Sequence, residues 1–291
     1  MKIVVCVKQV PDPNSVDVDP VTGAIDEERL IYVVNPPDRC AVEEAVRIKE
    51  WLGEGEVTAI TLGPPRAEEA LRQCLAIGAD RALRLWDKDM ESLDALSIAL
   101  VLAEAIKGMG YDLILCGAES ADWGSGQVGA AIAELLGLPQ VCVITELKMG
   151  PDGRSATVQR KLERGEREVV ECPLPAVFTV DASLNEPRYP SLPCYVEALM
   201  REIPSIGLQD LGMRRGSLRI ETAPKILGIS PPRPRPKKVF TPDSKLSAFQ
   251  RIDAILSGGV VGRKRILIEG SPEELAERIV RFLAERGIIG Y

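Results

Sequence analysis

The feature that most constrains the fold is the stretch over residues 112–140, in which a short apolar run leads through a glycine-containing loop into a helical pattern. The apolar run, residues 113–116, ends at a glycine, which is typical of a strand buried on both faces of a parallel sheet. The loop that follows, residues 118–126, contains Gly124 and Gly126. Such a loop presents free backbone N–H groups and the positive end of a helix dipole, which suit a phosphate group. The two glycines also fit a tight turn with no ligand, so the residues alone leave both interpretations open.

Strands and helices alternate before this stretch. The pattern predicts strands over residues 2–7, 57–62 and 82–86, a small hairpin over 17–34, and helices over 39–52 (with Asp38 as N-cap), 66–77 and 92–107. This alternation with short loops predicts an α/β fold with a doubly wound, mostly parallel, Rossmann-like sheet. A ligand is expected at the carboxyl ends of its strands, near residues 7–12, 35–38, 62–64 and 117–127.

The alternation stops after residue 140. Strands predicted over residues 141–148, 156–162 and 167–171 form an antiparallel hairpin extension at the sheet edge, followed by a buried strand over 176–180 and a helix over 194–202. These elements complete a predicted nucleotide-binding α/β domain over residues 1–228.

The rest of the chain is predicted to be a linker and an arm. The run PPRPRPKK lies in a proline-rich linker over residues 229–242. The C-terminal arm, residues 243–291, contains a helical segment over 244–256, a short strand over 265–268 and a final helix opened by the capping box Ser271 and Glu274. An arm with so few strands would make a poor core of its own, so it is expected to cover another chain.

Composition argues against several functional classes. The chain has 43 acidic and 36 basic residues, a net charge of −7, which argues against a general nucleic-acid surface. It contains no histidine, so the usual general base and the commonest metal ligand are missing, and we expect no catalytic residue and no metal site. Its seven cysteines form no CxxC pair and are interpreted as small apolar residues. Without a membrane-length apolar run or a signal-peptide layout, we expect a cytoplasmic protein with no membrane insertion.

Five blocks of sequence carry a resemblance to a known family. They are VCVKQVPD (5–12), NPPDRCAVEEAVRIKE (35–50), GADRALRL (78–85), DLILCGAESADWGSGQVG (112–129) and LPAVFTVDASLNEPRYPSLP (174–193). Each block alone is weak evidence, whereas five in order are specific. To about residue 215 the chain resembles the beta subunit of electron transfer flavoprotein (ETF beta, FixA family).

The resemblance implies an electron-carrier subunit and not an enzyme. It implies a heterodimer with an alpha subunit that carries most of the FAD site, and exchange of electrons with dehydrogenases and a downstream oxidoreductase. It also implies a pocket in this chain for a second adenine nucleotide, which is AMP in the ordinary members and a second FAD in the electron-bifurcating members.

The residues that match the family's nucleotide pocket follow the predicted strands. They are Cys6, Asn35, Pro36, Pro37, Asp38, Leu62, Ser120, Asp122, Trp123, Gly124, Ser125, Gly126, Gln127, Val128 and Gly129. By the resemblance, the amides of residues 124–129 and the side chains of Ser125 and Gln127 hold the phosphate, and Asp122 braces the loop.

The resemblance also places a dehydrogenase-docking loop over residues 189–199. Tyr189, Leu192 and Pro193 are its candidate contact residues, with Leu192 as an apolar anchor held rigid by neighbouring prolines. The competing interpretation is that Leu192 packs beneath the loop. By the same resemblance, the arm over residues 243–291 packs on the alpha subunit.

The chain departs from the family pattern in three places. Asp122-Trp123-Gly124 stands where members carry Asp-Asp-Asp or Asp-Gly-Asp, and the tryptophan could stack on a ring or fill the space of a second isoalloxazine, which favours AMP. Pro37 replaces an aromatic residue often found near the flavin. The lysine cluster after the docking leucine is missing, so we expect a partner that differs from the usual acyl-CoA dehydrogenases.

A rival function from another class uses the same fold. A homodimeric ATP- or AMP-binding protein of the universal-stress type, or an ATP-hydrolysing protein, would also have a doubly wound sheet. The proline-rich linker, the NEPRY block and the lack of a Walker-type lysine and serine or threonine pair argue against it.

Overall fold

A computed structural model gives the structure of the 291-residue chain, and it describes residues 1–19, 22–91, 93–214, 216, 218, 227, 242–243, 246–256 and 270–285. The chain divides into two compact units, Met1–Pro231 and Pro232–Tyr291. In the described residues, no helix combines the length and the apolar character that a membrane span requires. The domain boundaries inferred from the sequence, at residues 228 and 242, remain predictions.

The first unit is built around a nine-stranded sheet. Its strands are β1 (Lys2–Cys6), β4 (Glu56–Leu62), β5 (Arg81–Leu85), β6 (Leu113–Gly117), β7 (Gln140–Met149), β8 (Ser155–Lys161), β9 (Arg167–Pro173), β10 (Ala176–Val180) and β11 (Ser205–Ile206), while β2 (Gln9–Pro11) and β3 (Tyr32–Val34) form a separate antiparallel pair. The order across the sheet is β11-β5-β4-β1-β6-β10-β7-β8-β9. The chain runs outward from β1 to β4 and β5, then returns to place β6 on the other side of β1. The strand order therefore reverses between β1 and β6, where Cys6 and Cys116 are register partners.

Helices cover both faces of the parallel part of the sheet. They are α1 (Pro36–Leu52), α2 (Glu68–Ile77), α3 (Ala95–Lys107), α4 (Val128–Leu136) and α5 (Leu192–Met200). α1 and α2 bury their apolar residues against one face, and α3 and α4 against the other. Successive residues of β1 enter opposite clusters, Ile3 in the first and Val4 in the second, because side chains alternate along a strand.

The hairpin extension predicted after residue 140 is confirmed. β7, β8 and β9 are antiparallel neighbours at one edge of the sheet. β10 lies between β6 and β7 and is parallel to both. The predicted fold class, a mostly parallel doubly wound sheet with an antiparallel extension, is confirmed.

Several local boundaries differ from the prediction; α2 and α3, for example, begin at Glu68 and Ala95 and not at residues 66 and 92. α1 begins at Pro36 and not at residue 39, so Asn35 is at the N-cap position and the prediction of Asp38 as N-cap is wrong. The cause is the pair of prolines. Proline suits the first helical positions because it has no N–H that needs an acceptor and because its fixed φ is already close to the helical value. α5 begins at Leu192, two residues earlier than predicted, and β11 is too short to produce a sequence pattern.

The second unit contains two described helices, α6 (Ala248–Leu256) and α7 (Pro272–Glu285). The capping box before α7 is confirmed, since Ser271 N donates to Glu274 Oε2 at 3.1 Å and Glu274 N donates to Ser271 Oγ at 3.3 Å. The strand predicted over 265–268 lies outside the described residues, as does most of the linker predicted over 229–242.

Candidate functional site

The candidate nucleotide site lies at the carboxyl edge of the sheet, where the strand order reverses. β6 ends at Gly117 and α4 begins at Val128, so the connection between them, the 118–127 loop, stands directly above the β1–β6 pair. Cys6 ends β1 and Leu62 ends the adjacent β4. The topology therefore brings Cys6, Leu62 and the loop to one edge, where open α/β sheets bind ligands.

The second half of the loop offers unused hydrogen-bond donors. Gly124 and Gly126 adopt positive φ values of 59° and 61°, which glycine accepts without a steric cost. Gly124 N donates to Ser120 O at 2.8 Å and closes a turn. Within the described part of the chain, the backbone N–H groups of residues 125–130 donate to no protein acceptor, and the first helical bond runs from Ala131 N to Gln127 O. These N–H groups, at the positive end of α4, can hold an anion.

Asn35 ties the first half of the loop to the body of the protein. Its Nδ2 donates to Glu119 O at 2.9 Å, and its Oδ1 accepts from Ala121 N at 3.0 Å. The side chain is buried, and Nδ2 also donates to Asp38 Oδ1 at 3.0 Å. Both polar side-chain atoms of the predicted site residue Asn35 therefore bond to protein groups.

Asp38 lies buried beneath the loop. Its carboxylate accepts the backbone N–H of Lys8 at 2.7 Å, the amide of Asn35 and the backbone N–H of Gly117. Burial raises the pKa of Asp38 to about 7, and these hydrogen bonds oppose a further rise. The carboxylate thus links the segment after β1, the start of α1 and the end of β6 behind the site.

Lys8 and Asp122 form an ion pair across the site. Lys8 Nζ lies 2.7 Å from both carboxylate oxygens of Asp122 and 3.4 Å from Ser120 Oγ. Asp122 Oδ1 also accepts the backbone N–H of Trp123 at 2.8 Å. Partial burial opposes ionisation of Asp122, but hydrogen bonds from Lys8 and Ser120 outweigh it and lower the pKa of the carboxyl.

The remaining predicted site residues differ in exposure. Trp123 is 64% exposed, so its ring is available to a ligand or a partner. Ser125 and Gln127 are exposed, as is Pro36, whereas Pro37 is half-buried.

Gly129 is the buried residue of α4's first turn. A Cβ added to it would lie 2.5 Å from Thr179 Cγ2, so only glycine allows α4 to approach β10 this closely.

The predicted docking residues form a second exposed surface. Tyr189 is 89% exposed and Leu192 is 75% exposed, so within this chain Leu192 does not pack beneath the loop. Along α5, Val196, Leu199 and Met200 are also exposed. Residues spaced by three and four positions share one face of a helix, so Leu192 continues this apolar face.

The segment before α5 is clamped to α1 by charged groups. Arg188 donates from Nε to Glu43 Oε2 at 2.9 Å and from Nη1 to Glu50 Oε1 at 2.6 Å. Glu43 is buried and also accepts from Arg47 Nε at 2.6 Å. Burial raises the pKa of Glu43, but the hydrogen bonds from Arg188 and Arg47 outweigh it, so the net shift is downward. Asn185 adds a bond from Nδ2 to Cys40 O at 3.0 Å.

Lys8 and the Arg188 clamp are contacts that the sequence reasoning missed. Lys8 and Asp122 are 114 residues apart, and no local pattern connects them. The NEPRY block is recognisable as a motif, but its charges alone do not indicate the partners on α1.

A surface cavity of about 400 Å³ lies between α1, around Trp51, and residues 147–149 of β7, and it contains none of the predicted site residues. In the part of the chain that the structure describes, no cluster of side chains could hold a metal ion.

Comparisons with known proteins identify the family of the chain. The family profile described as Electron transfer flavoprotein domain matches residues 22–204. The chain is 37% identical to Electron transfer flavoprotein subunit beta of Thermoanaerobacterium thermosaccharolyticum over 264 residues, which is 90% of this chain and 100% of that protein. It is 37% identical to Caffeyl-CoA reductase-Etf complex subunit CarD of Acetobacterium woodii, over 80% of this chain and 88% of that protein. It is 33% identical to Protein FixA of Azorhizobium caulinodans, over 87% and 89%. The chain therefore belongs to the electron transfer flavoprotein family, in the group of beta subunits and FixA proteins.

Proposed function

We propose that this chain scaffolds a two-chain electron carrier and performs no bond chemistry of its own. In this role it binds an adenine nucleotide at the 118–127 loop, completes the environment of an FAD held mainly by an alpha subunit, and presents α5 to redox partners. The observation that carries the proposal is the set of backbone N–H groups over residues 125–130 that have no acceptor among the described residues, placed where the strand order reverses. Fold alone would not specify this function, and the family supplies the electron-carrier role.

The proposed nucleotide binding rests on the hydrogen-bond donors of the 118–127 loop and the start of α4. The free N–H groups of residues 125–130 suit an anionic group, and Ser125 and Gln127 add exposed polar side chains beside them. The phosphate of AMP matches these donors, and an FAD would present its pyrophosphate in the same way.

Trp123 favours AMP over a second FAD. Its ring stands exposed on the loop that would hold the phosphate. An indole there stacks on an adenine or occupies space that a second isoalloxazine would need.

FAD supplies the electron-accepting and electron-donating chemistry when it is bound. The proposal that it is shared with an alpha subunit rests on family membership. In this chain, Pro37 at the start of α1 offers no aromatic ring to stack on a flavin, which agrees with a site held mainly by the other subunit.

The proposed docking of redox partners rests on α5. Its apolar face is exposed, and Arg188 holds the preceding segment against α1 through two carboxylates. A rigid exposed leucine loses little conformational entropy on binding, which suits an anchor for a dehydrogenase or a downstream oxidoreductase. The relative CarD is named as part of a caffeyl-CoA reductase–Etf complex. Because this chain lacks the lysine cluster after the docking leucine, the first partner to test is a reductase of CoA esters other than the usual acyl-CoA dehydrogenases.

The direct test is a cofactor count. The chain is produced with its alpha subunit, the purified complex is denatured, and the released FAD and AMP are separated and quantified. One FAD and one AMP per heterodimer are expected. Two FAD and no AMP would instead indicate the electron-bifurcating type.

One result would overturn the proposal. A colourless homodimer that hydrolyses ATP, with no yellow complex formed in the presence of the alpha subunit, would support the rival ATP-binding function.

A further inference from the structure

The first half of the 118–127 loop is held by hydrogen bonds to the rest of the protein, and the second half has backbone N–H groups without such bonds in the described chain. Residues 119–124 are held by hydrogen bonds from Asn35, from Lys8 and within the turn that Gly124 closes, whereas the N–H groups of residues 125–130 have no acceptor in the described chain. The fixed half therefore determines where the free N–H groups point.

The two side chains that hold the loop from outside it, Asn35 and Lys8, belong to one hydrogen-bonded cluster. Asn35 N donates to Lys8 O at 2.9 Å, and Lys8 N donates to Asp38 Oδ2 at 2.7 Å. Asp38 in turn accepts from the Asn35 side chain at 3.0 Å. The backbone of Lys8 is thus fixed by the residues that hold Glu119 and Ala121, and its side chain reaches the next part of the loop.

We propose that Lys8 is a positioning residue for the nucleotide site, acting through Asp122 to hold the loop in the conformation that binds phosphate. The inference rests on the proposed nucleotide-binding function. It predicts that the ion pair is kept when the nucleotide binds, and that the pair lowers the cost of ordering the loop.

A direct contact between Lys8 and the phosphate is the alternative. The geometry favours the positioning role, because Nζ is 2.7 Å from both oxygens of Asp122 and Ser120 Oγ lies within 3.4 Å. The Asp122 side chain is only 19% exposed and is fixed by the Trp123 N–H. A lysine that turned to the phosphate would leave this carboxylate partly buried and without its counter-ion, which is costly.

The two roles predict opposite effects at Asp122. If Lys8 contacts phosphate, Asp122→Asn removes a competing anion and tightens nucleotide binding. If Lys8 acts through Asp122, both Lys8→Met and Asp122→Asn release the loop and weaken binding. Because both changes break the same link, the double variant should then bind no more weakly than either single variant.

The experiment measures the AMP dissociation constant of the nucleotide-stripped heterodimer by calorimetry. If the binding-competent loop falls to about a tenth of the population, each single variant and the double variant weaken AMP binding about tenfold. Lys8→Arg should restore most of the affinity, since an arginine can also pair with the carboxylate. The melting temperature of the stripped complex should stay close to that of the wild type, which separates positioning from a general loss of stability.

Lys107→Met is the matched control. Lys107 also pairs with a carboxylate, Glu104, at 3.0 Å, but it ends α3 at the opposite edge of the sheet. This variant should bind AMP as the wild type does. Tighter binding by Asp122→Asn, or unchanged binding by Lys8→Met, would overturn the positioning role and leave the proposed function intact. A wild-type complex that binds neither AMP nor a second FAD would overturn both.

Discussion

At the scale of single residues, Gly117 shows how closely the groups behind the nucleotide site approach one another. A Cβ added at this position would overlap Asp38 Oδ1 and would lie 3.1 Å from Pro37 Cβ and 3.2 Å from Asn35 Nδ2. The carboxylate cannot move away without losing the bonds from Lys8 N and Asn35. Only glycine therefore fits at this position, because any side chain would overlap these groups.

We expect Gly117→Ala to destabilise the protein by about 1–3 kcal/mol, the usual cost of overpacking a closely packed site. The urea midpoint should fall with little change in slope, and AMP affinity should fall with it because the loop begins at this residue. Gly108→Ala is the control. Gly108 is the C-cap of α3 and has a helical φ, and its added Cβ would meet no atom closer than Ala105 O at 3.6 Å. That variant should be neutral or slightly stabilised, and equal losses in both variants would contradict the steric argument.

Asp38 should give the protein a characteristic dependence on pH. Its pKa is about 7 in the folded chain against 3.8 for an unperturbed aspartate, because of burial. Between these values the folded state holds a proton that the unfolded state has lost, so this group's contribution to stability falls as pH rises from 3.8 to about 7. The contribution is complete below the lower value and lost above the higher one.

Comparison with Asp38→Asn isolates this effect from the other carboxyl groups. The variant has no ionisable group at this position, but its amide faces the donating Lys8 N–H, so it should be less stable at low pH. The difference in unfolding free energy between wild type and variant should shrink as pH rises through the window. A difference that is the same at every pH would show that Asp38 is ionised throughout.

At the scale of elements, α5 depends on α1 and α2 for its position. Arg188 joins the segment before α5 to Glu43 and Glu50, and Arg72 Nη1 donates to carbonyl oxygens at the other end of α5, including Leu199 O at 2.9 Å. Both ends of the helix are therefore fixed, which leaves its apolar face rigid and exposed.

Leu192→Ala should raise the KM for the dehydrogenase partner about tenfold or more, the effect typical of removing an interface anchor. Reduction of the bound flavin by dithionite, which needs no docking, should be unchanged. Val169→Ala is the matched control, because Val169 is 65% exposed on β9, in the antiparallel extension. If both variants keep the wild-type KM, α5 is not the docking surface.

The sequence predicted the elements whose signals are local. Alternation of apolar runs and helical periodicity gave the parallel sheet and its hairpin extension, and the serine and glutamate before α7 gave its cap. Contacts between distant residues could not be predicted this way. The Lys8–Asp122 pair joins residues 114 positions apart, and the carboxylate of Asp38 accepts hydrogen bonds from three separate segments of the chain. Asp38 was predicted as a helix cap because a local rule was applied to a residue whose partners are not local.

At the scale of the whole molecule, the second unit has an apolar helix face that its own described residues leave exposed. Phe249, Ile252 and Ile255 of α6 are 82%, 57% and 59% exposed. We expect the alpha subunit to cover this face, so Phe249→Asp should weaken the heterodimer by at least about 2 kcal/mol, roughly thirtyfold in its dissociation constant. Sedimentation of the mixed subunits would measure this. Arg251→Asp puts the same residue on another face of α6 and should leave association nearly unchanged. If Phe249→Asp associates as the wild type does, the alpha subunit does not cover this face, because a buried aspartate without a counter-ion could not be accommodated at an apolar interface.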